Sequence, residues 1–202
     1  MTNTLSAAEA LQQLVEGNRR FLEGKARNAA FCPETMAKLA DGQKPFATIL
    51  GCSDSRVAPE IVFDSGLGEL FIIRVAGNVV SPEIMGSIQY AAMHLETPLF
   101  VVLGHEGCGA VHAALDQMHH STDQPSRVAA LLRTITPGLA SVAPESDPQE
   151  EMREAVEANV RWSMRQIRET PEARERATEG RMKLVGAVYE ISTGRVRWLE
   201  SP

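Results

Sequence analysis

Two short segments of the chain contain side chains whose types and spacing could build a metal site. Cys52, Asp54 and Arg56 alternate in the first segment, and His105 and Cys108 follow in the second. Two thiolates and one imidazole suit zinc, which takes sulfur and nitrogen ligands in tetrahedral geometry. Three protein ligands leave a fourth position open, as is typical of a catalytic zinc. The sequence therefore predicts a zinc site formed by Cys52, His105 and Cys108.

The carboxylate of Asp54 has two possible roles at such a site. It lies two residues from Cys52 and could take the fourth position on the metal, which would close the site. It could instead pair with Arg56, because a guanidinium can clamp a carboxylate with two hydrogen bonds. The residues alone leave both arrangements open.

The two segments can meet only if the elements before them end at one edge of a sheet. Short apolar runs predict buried strands at 46–52, 70–75 and 99–103, so that Cys52 and His105 stand at strand ends. Strands that alternate with helices favour a parallel sheet covered on both faces. Since ligands of such sheets bind beyond the carboxyl ends of the strands, we expect the two segments to converge.

Helical patterns flank these strands. A capping box at Ser6 predicts a helix that ends near Gly24, and Pro33 predicts the start of a second helix. We expect both to lie outside the sheet, against another subunit, as an N-terminal helical arm. Further helices are predicted from Ser81, from about Gly107, over 125–142 with Ser126 as its cap, and over 152–167.

The rest of the chain is predicted from local signals. Proline and polar residues predict a loop at 144–148, and 174–176 is expected to be solvent-exposed surface. Residues 184–199 predict two strands joined by a turn. The whole is predicted to be an α/β fold with a mostly parallel central β-sheet flanked by helices.

We expect one domain over residues 1–202. Within it, residues 1–44 form the helical arm, 45–120 the zinc-site core, and 121–202 the remaining helices and C-terminal strands. A length of 202 residues is sufficient for one such domain with a buried core.

Composition excludes several other classes of protein. A net charge of −6 disfavours nucleic acid and anionic membranes as partners. Three cysteines, an odd and sparse count, argue against a secreted disulfide scaffold, and Cys32 is expected to be a packing residue or a spare thiol. We find no signal peptide at the start of the chain and no apolar run near the ~18–20 residues of a membrane span. The sequence thus predicts a cytoplasmic protein.

The motif Cys52-x-Asp54-x-Arg56 followed by His105-x-x-Cys108 resembles the signature of the β-class carbonic anhydrases. The similarity extends from about residue 45 to 115 and includes the stretches 68–71, 74–78 and 87–91. The resemblance implies one Zn²⁺ per subunit on Cys52, His105 and Cys108, and a carboxylate–guanidinium dyad of Asp54 and Arg56. It also implies a homodimer, with swapped-over N-terminal helices, or a tetramer.

The resemblance also assigns a substrate pocket. In the plant-like branch of the family, a glutamine, a phenylalanine, a tyrosine and a backbone glycine shape the carbon dioxide pocket. The matching positions here are Gln43, Phe71, Tyr90 and Gly109. The other branch has a tryptophan that helps to form an inhibitory bicarbonate site, but Ile49 stands at that position here. We therefore expect no bicarbonate site, and we expect Arg74 and Tyr189 to serve structure.

The activity implied by the resemblance is that of a carbonic anhydrase, a lyase. It would hydrate carbon dioxide reversibly to bicarbonate and a proton, by attack of a zinc-bound hydroxide. Two alternatives use the same ligands: a carbon disulfide or carbonyl sulfide hydrolase on the same scaffold, and a non-catalytic zinc-binding module whose fourth position is permanently filled.

Overall fold

A five-stranded sheet forms the centre of the fold. The computed structural model describes residues 5–27, 33–120, 123–143 and 147–199. Strands β1 to β4 run parallel, β5 is antiparallel to β4, and the order across the sheet is β2-β1-β3-β4-β5. The strands are β1 (Ala47–Gly51), β2 (Leu70–Arg74), β3 (Leu99–His105), β4 (Lys183–Tyr189) and β5 (Val196–Trp198). The predicted α/β fold with a mostly parallel sheet is confirmed.

Eight α-helices within the described residues surround this sheet. They are α1 (Ala7–Leu22), α2 (Pro33–Ala40), α3 (Pro59–Val62), α4 (Pro82–Met93), α5 (Gly109–His120), α6 (Ser126–Leu139), α7 (Pro148–Arg168) and α8 (Pro171–Thr178). A 3₁₀ turn, Ala76–Asn78, leads from β2 towards α4. None of these helices combines the length and apolar character needed to cross a membrane.

The sheet is buried on both faces, which explains why its strands appear as continuous apolar runs. Side chains such as Leu50 point into a core shared with α4 to α8. Their neighbours, such as Ile49, point into a second core. Leu11 and Leu14 of α1 belong to this second core, so α1 covers the sheet of its own chain. In α2, by contrast, Met36 is 50% exposed.

Several boundaries differ from the predictions. Helix α7 begins at Pro148, one turn earlier than expected, because the Asp147 side chain accepts a hydrogen bond from the N–H of Gln149. Ser126 lies inside α6, with Pro125 at the cap, so Ser126 is not the predicted cap. Helix α6 also ends at Leu139 rather than at 142.

Helix α8 was not predicted, and the expectation of solvent-exposed surface at 174–176 is wrong for Arg176. Thr170 caps this helix by accepting a hydrogen bond from the N–H of Ala173. Arg176 lies three residues after Ala173 and therefore shares its inward-facing side. Arg176 is 7% exposed as a result.

A buried carboxylate connects α1 to the loop after α3. The Asp64 side chain accepts hydrogen bonds from Nε of Arg20 at 2.5 Å and from the backbone N–H of Arg27 at 2.8 Å. Burial opposes ionisation of Asp64, but these hydrogen bonds and the charges of Arg20 and Arg27 lower its pKa overall. The ionised carboxylate therefore stabilises the folded chain.

We expect Asp64→Asn to lower the free energy of unfolding by about 2 kcal/mol at pH 7, the scale of hydrogen bonds to a charged group. The pKa is lower in the folded than in the unfolded state, so this stabilisation is present above about pH 4 and is lost as the pH falls further. Urea unfolding should therefore show a smaller difference between variant and parent at pH 3 than at pH 7. Asp116→Asn, at an exposed site, serves as the control. A difference that is equal at both pH values would contradict the assignment.

Candidate metal centre

Three side chains with metal-binding atoms meet beyond the carboxyl ends of β1 and β3. Gly51, directly before Cys52, is paired with Leu103, so the two neighbouring strands end at nearly the same level. His105 is the last residue of β3, and Cys108 directly precedes α5. The candidate ligand atoms of Cys52, His105 and Cys108 all lie within 4.8 Å of one another.

Cys52 and Cys108 affect each other's ionisation because their thiols lie side by side. A hydrogen bond from Cys108 is the main cause that lowers the pKa of Cys52, to about 4, while burial opposes the shift. The same interaction, together with burial, raises the pKa of Cys108. Backbone N–H groups of Val111 and Ala110 favour the Cys108 thiolate. One of the two thiols, Cys52, therefore ionises readily. Ionisation of Cys108 as well would require a nearby cation to balance the second negative charge.

The imidazole of His105 presents one nitrogen to the two sulfurs. Its Nδ1 lies 3.0 Å from the carbonyl oxygen of Glu106. Because a carbonyl can only accept, Nδ1 carries the hydrogen, and in the neutral ring Nε2 keeps its lone pair. Burial acts to lower the pKa of His105, but the nearby Cys52 thiolate raises it overall. His105 is fully buried, and Nε2 has no hydrogen-bond partner among the described residues.

The donor set and its surroundings meet the requirements of a soft or borderline metal ion. Two sulfurs and an imidazole nitrogen are the ligands that zinc prefers. A cation bound there would balance the second thiolate and give the unpartnered Nε2 of His105 a partner. A hydrogen bond on the other ring nitrogen, here to Glu106, is the usual arrangement for a metal-binding histidine.

Asp54 is paired with Arg56 in this structure. Nε of Arg56 donates to Oδ1 at 2.9 Å and its terminal nitrogen donates to Oδ2 at 2.8 Å, while the Arg56 backbone N–H also donates to Oδ1. These hydrogen bonds hold the pKa of Asp54 well below its usual range. Oδ2 nevertheless lies 3.8 Å from Nε2 of His105, beside the candidate metal position. Of the two arrangements that the sequence left open, the structure has the pair with Arg56.

Two groups outside the predicted site hold the loop that contains Cys52 and Asp54. The Arg74 guanidinium donates to the carbonyl oxygens of Cys52 at 2.9 Å and Asp54 at 2.6 Å. The backbone N–H of Gly77 donates to Sγ of Cys52 at 3.4 Å. Arg74 therefore has the structural role expected of it. The contact of Gly77 had no sequence signal beyond its place in the family-like stretch 74–78.

Two of the four predicted pocket residues lie close to each other in the structure. The rings of Phe71 and Tyr90 lie 6.1 Å apart between centroids, and Tyr90 is 48% exposed. Gly109 begins α5 beside Cys108. Gln43 is exposed ahead of β1 and has no hydrogen bond to another residue in the described part of the chain. The structure thus brings the rings of Phe71 and Tyr90 together, and the pocket role of Gln43 and Gly109 stays a prediction.

A parallel sheet with a Cys₂His cluster at its carboxyl edge defines an α/β protein with a candidate metal centre. The family model for carbonic anhydrase matches residues 47–196. Carbonic anhydrase 2 of Mycobacterium tuberculosis is 38% identical over 195 residues, which cover 96% of this chain and 92% of that protein. The chain therefore belongs to the β-class carbonic anhydrases, a family of lyases.

Solved structures support the same assignment. The β-carbonic anhydrase CcaA matches with a TM-score of 0.77 at 26% identity, over 96% of this chain and 93% of that one. A tetrameric β-carbonic anhydrase from Sordaria macrospora matches with a TM-score of 0.75 at 25% identity, over 96% and 98% of the two chains. The predicted resemblance to this family is confirmed.

Proposed function

We propose that this protein catalyses the reversible hydration of carbon dioxide to bicarbonate and a proton. One Zn²⁺ per subunit would be held by Cys52, His105 and Cys108. The observation that carries the proposal is the convergence of these three buried side chains, with ligand atoms within 4.8 Å, beside a paired Asp54 and Arg56. A purely structural zinc site would not require that charged pair at its edge.

Zinc, when bound there, would polarise a water molecule and lower its pKa to about 7. The ionised carboxylate of Asp54 can only accept hydrogen bonds, so it would accept one from the attacking water. That bond would leave a lone pair of the water oxygen aimed at the carbon of the substrate. Asp54 is therefore assigned the role of orienting the nucleophile.

Arg56 fixes Asp54 for this role. Its two side-chain hydrogen bonds engage both carboxylate oxygens, which sets the plane of the carboxylate. The same bonds keep Asp54 from serving as a fourth metal ligand. We propose a closed state in which the pair is broken and Asp54 occupies that position, since Oδ2 is already 3.8 Å from Nε2 of His105.

The pocket residues would receive a small neutral substrate. The neighbouring rings of Phe71 and Tyr90 supply apolar walls, which suit carbon dioxide better than water. The amide of Gln43 could donate to the oxygen on which negative charge develops, and Gly109, which directly follows Cys108, would contribute its backbone.

We further propose that the protein works as a homodimer or tetramer. Tyr90 and Met93 are 48% and 61% exposed on α4. The adjacent strand β2 lies at the edge of the sheet. Exposed aromatic and apolar side chains beside a strand that, among the described residues, lies at the sheet edge favour contact with a second copy, which would also cover the pocket wall at Tyr90. A cytoplasmic location stays a prediction.

Stopped-flow carbon dioxide hydration tests the proposed function directly. We expect catalysis by protein that contains one zinc per chain, a fall to the uncatalysed rate after zinc is removed with a chelator, and recovery when zinc is returned. Hydrolysis of carbon disulfide or carbonyl sulfide without hydration of carbon dioxide would favour the hydrolase instead. Zinc-loaded protein with neither activity would favour the non-catalytic module.

A further inference from the structure

Helix α7 carries two buried polar side chains that face the 3₁₀ turn Ala76–Asn78. Asn159 and Ser163 are 1% and 0% exposed and lie four residues apart, hence on one side of the helix. Nδ2 of Asn159 donates to the carbonyl oxygen of Gly77 at 2.8 Å. Oγ of Ser163 donates to the carbonyl oxygen of Asn78 at 2.9 Å. Two successive carbonyl groups of the turn are therefore held from α7.

The turn needs this support because its backbone is unusual. Gly77 and Asn78 have φ values of 68° and 44°, both in the left-handed region. Asn78 is not a glycine, so this conformation costs free energy that the surroundings must offset. A Cβ added to Gly77 would lie 2.8 Å from Cδ1 of Ile135, so the turn packs closely against α6 at this residue. The side chains of α7 thus hold a strained turn in one conformation.

The conformation of the turn decides where one backbone N–H points. In the observed geometry, the N–H of Gly77 donates to Sγ of Cys52 at 3.4 Å. A hydrogen bond to a thiolate stabilises its charge and reduces the electron density that the sulfur can donate to a metal. Asn159 is therefore connected to the sulfur of Cys52 through one residue, Gly77.

Helix α7 is itself fixed against the strands that hold the site. A Cβ added to Gly104, directly before His105, would lie 2.6 Å from a methyl group of Val160. A Cβ added to Gly186 in β4 would lie 2.6 Å from the sulfur of Met164. These close approaches place α7 directly on β3 and β4. Because α7 contacts both the turn Ala76–Asn78 and β3, it fixes the turn relative to the strand that ends in His105.

Packing alone does not account for an asparagine at position 159. Its Oδ1 is buried and has no hydrogen-bond partner among the described residues. An unpaired buried acceptor destabilises a fold, and an apolar side chain of similar size would avoid this cost. The donor atom Nδ2 is the part of the side chain that makes a specific bond.

We propose that Asn159, assisted by Ser163, is a positioning residue for the metal-binding sulfur of Cys52. Through the turn at Gly77, these side chains aim a backbone N–H at Sγ and so set how strongly the sulfur donates to the metal. The inference rests on the proposed zinc site. It adds two residues of α7, 107 and 111 positions after Cys52, to those that tune this site.

Cobalt-substituted protein provides the test, because sulfur-to-cobalt charge-transfer absorption reports directly on the thiolate ligands. In Asn159→Ala, we expect this absorption to move to lower energy, since the sulfur loses an aligned N–H donor. We expect the zinc dissociation constant to rise by about 10- to 100-fold, because the misplaced Cys52 sulfur weakens binding more than its higher electron density strengthens it. Titration with zinc against a competing chelator measures the second effect.

The matched control is Asn18→Ala. Asn18 is also a buried asparagine, and its Nδ2 donates to backbone carbonyls of Val62 and Gly194, neither of which belongs to the turn Ala76–Asn78 or is a candidate ligand. This variant should lose thermal stability while its cobalt spectrum and zinc affinity stay unchanged. Equal spectral shifts in both variants would overturn the proposal, because they would reflect general destabilisation.

The remaining outcomes are also decisive. A folded Asn159→Ala protein with the parental spectrum and zinc affinity would overturn the proposal. If that variant does not fold, Ser163→Ala decides: a smaller shift to lower energy supports the role of α7, and an unchanged spectrum refutes it. If the parent protein binds neither cobalt nor zinc, the proposed zinc site itself fails, which is distinguishable from failure of the variants alone.

Discussion

Cys52→Ser protein is expected to lose its zinc and, with it, the hydration of carbon dioxide. Tight protein zinc sites bind with about 10–16 kcal/mol shared among four ligands, so one ligand contributes about 3 kcal/mol. Loss of that share corresponds to a roughly 10²- to 10³-fold weaker affinity. The serine hydroxyl stays protonated near neutral pH and cannot replace the negative charge of the thiolate.

Metal analysis of the purified protein, combined with stopped-flow hydration, measures both losses. Cys32→Ser is the matched control, because the sequence predicts a packing residue or a spare thiol there; Cys32 lies outside the described residues. This control should keep one zinc per chain and parental turnover. Parental zinc affinity of Cys52→Ser, measured against a competing chelator, would refute the assignment of Cys52 as a ligand.

The second large effect is expected for Asp54→Asn. The amide has nearly the shape of the carboxylate but lacks its charge, so it accepts a hydrogen bond from the attacking water less strongly. We expect turnover to fall by about 10²- to 10³-fold, the usual range for removal of an orienting or proton-accepting group. Zinc content should stay at one per chain, because Asp54 is held by Arg56 in this structure.

Asp116→Asn is a suitable comparison for this change. Asp116 is a surface carboxylate on α5 that pairs with His112 at 3.1 Å, and its loss should leave turnover unaltered. Parental turnover in Asp54→Asn would eliminate the orienting role. Loss of zinc in proportion to activity would instead identify Asp54 as a metal ligand and favour the closed state.

The positions of the strands were predictable because their apolar runs are long and continuous. Those runs placed Cys52 and His105 at adjacent strand ends, and the structure has them there. The choice between the two roles of Asp54 was not predictable, because it depends on how the loop turns Arg56 towards it. Backbone conformation, rather than residue type, decides that contact.

The support from α7 could not be predicted for a different reason. Asn159 and Gly77 lie 82 positions apart, and nothing in the local pattern of either segment indicates their contact. A polar residue on the apolar face of an amphipathic helix is the signal that was available. Similarly, Arg176 was expected to be exposed because a charged residue is seldom buried, and only tertiary packing covers it.

The placement of β3 has a consequence for the synthesis of the protein on the ribosome. This strand lies between β1 and β4, and β4 begins only at Lys183. All three candidate metal ligands have been translated by residue 108, yet α7 and β4 follow much later. Domains fold as units during translation. The three candidate ligands are therefore synthesised well before α7 and β4, which hold them in place in the folded protein. A metal ion held by these three residues would therefore bind late, after most of the chain has been synthesised.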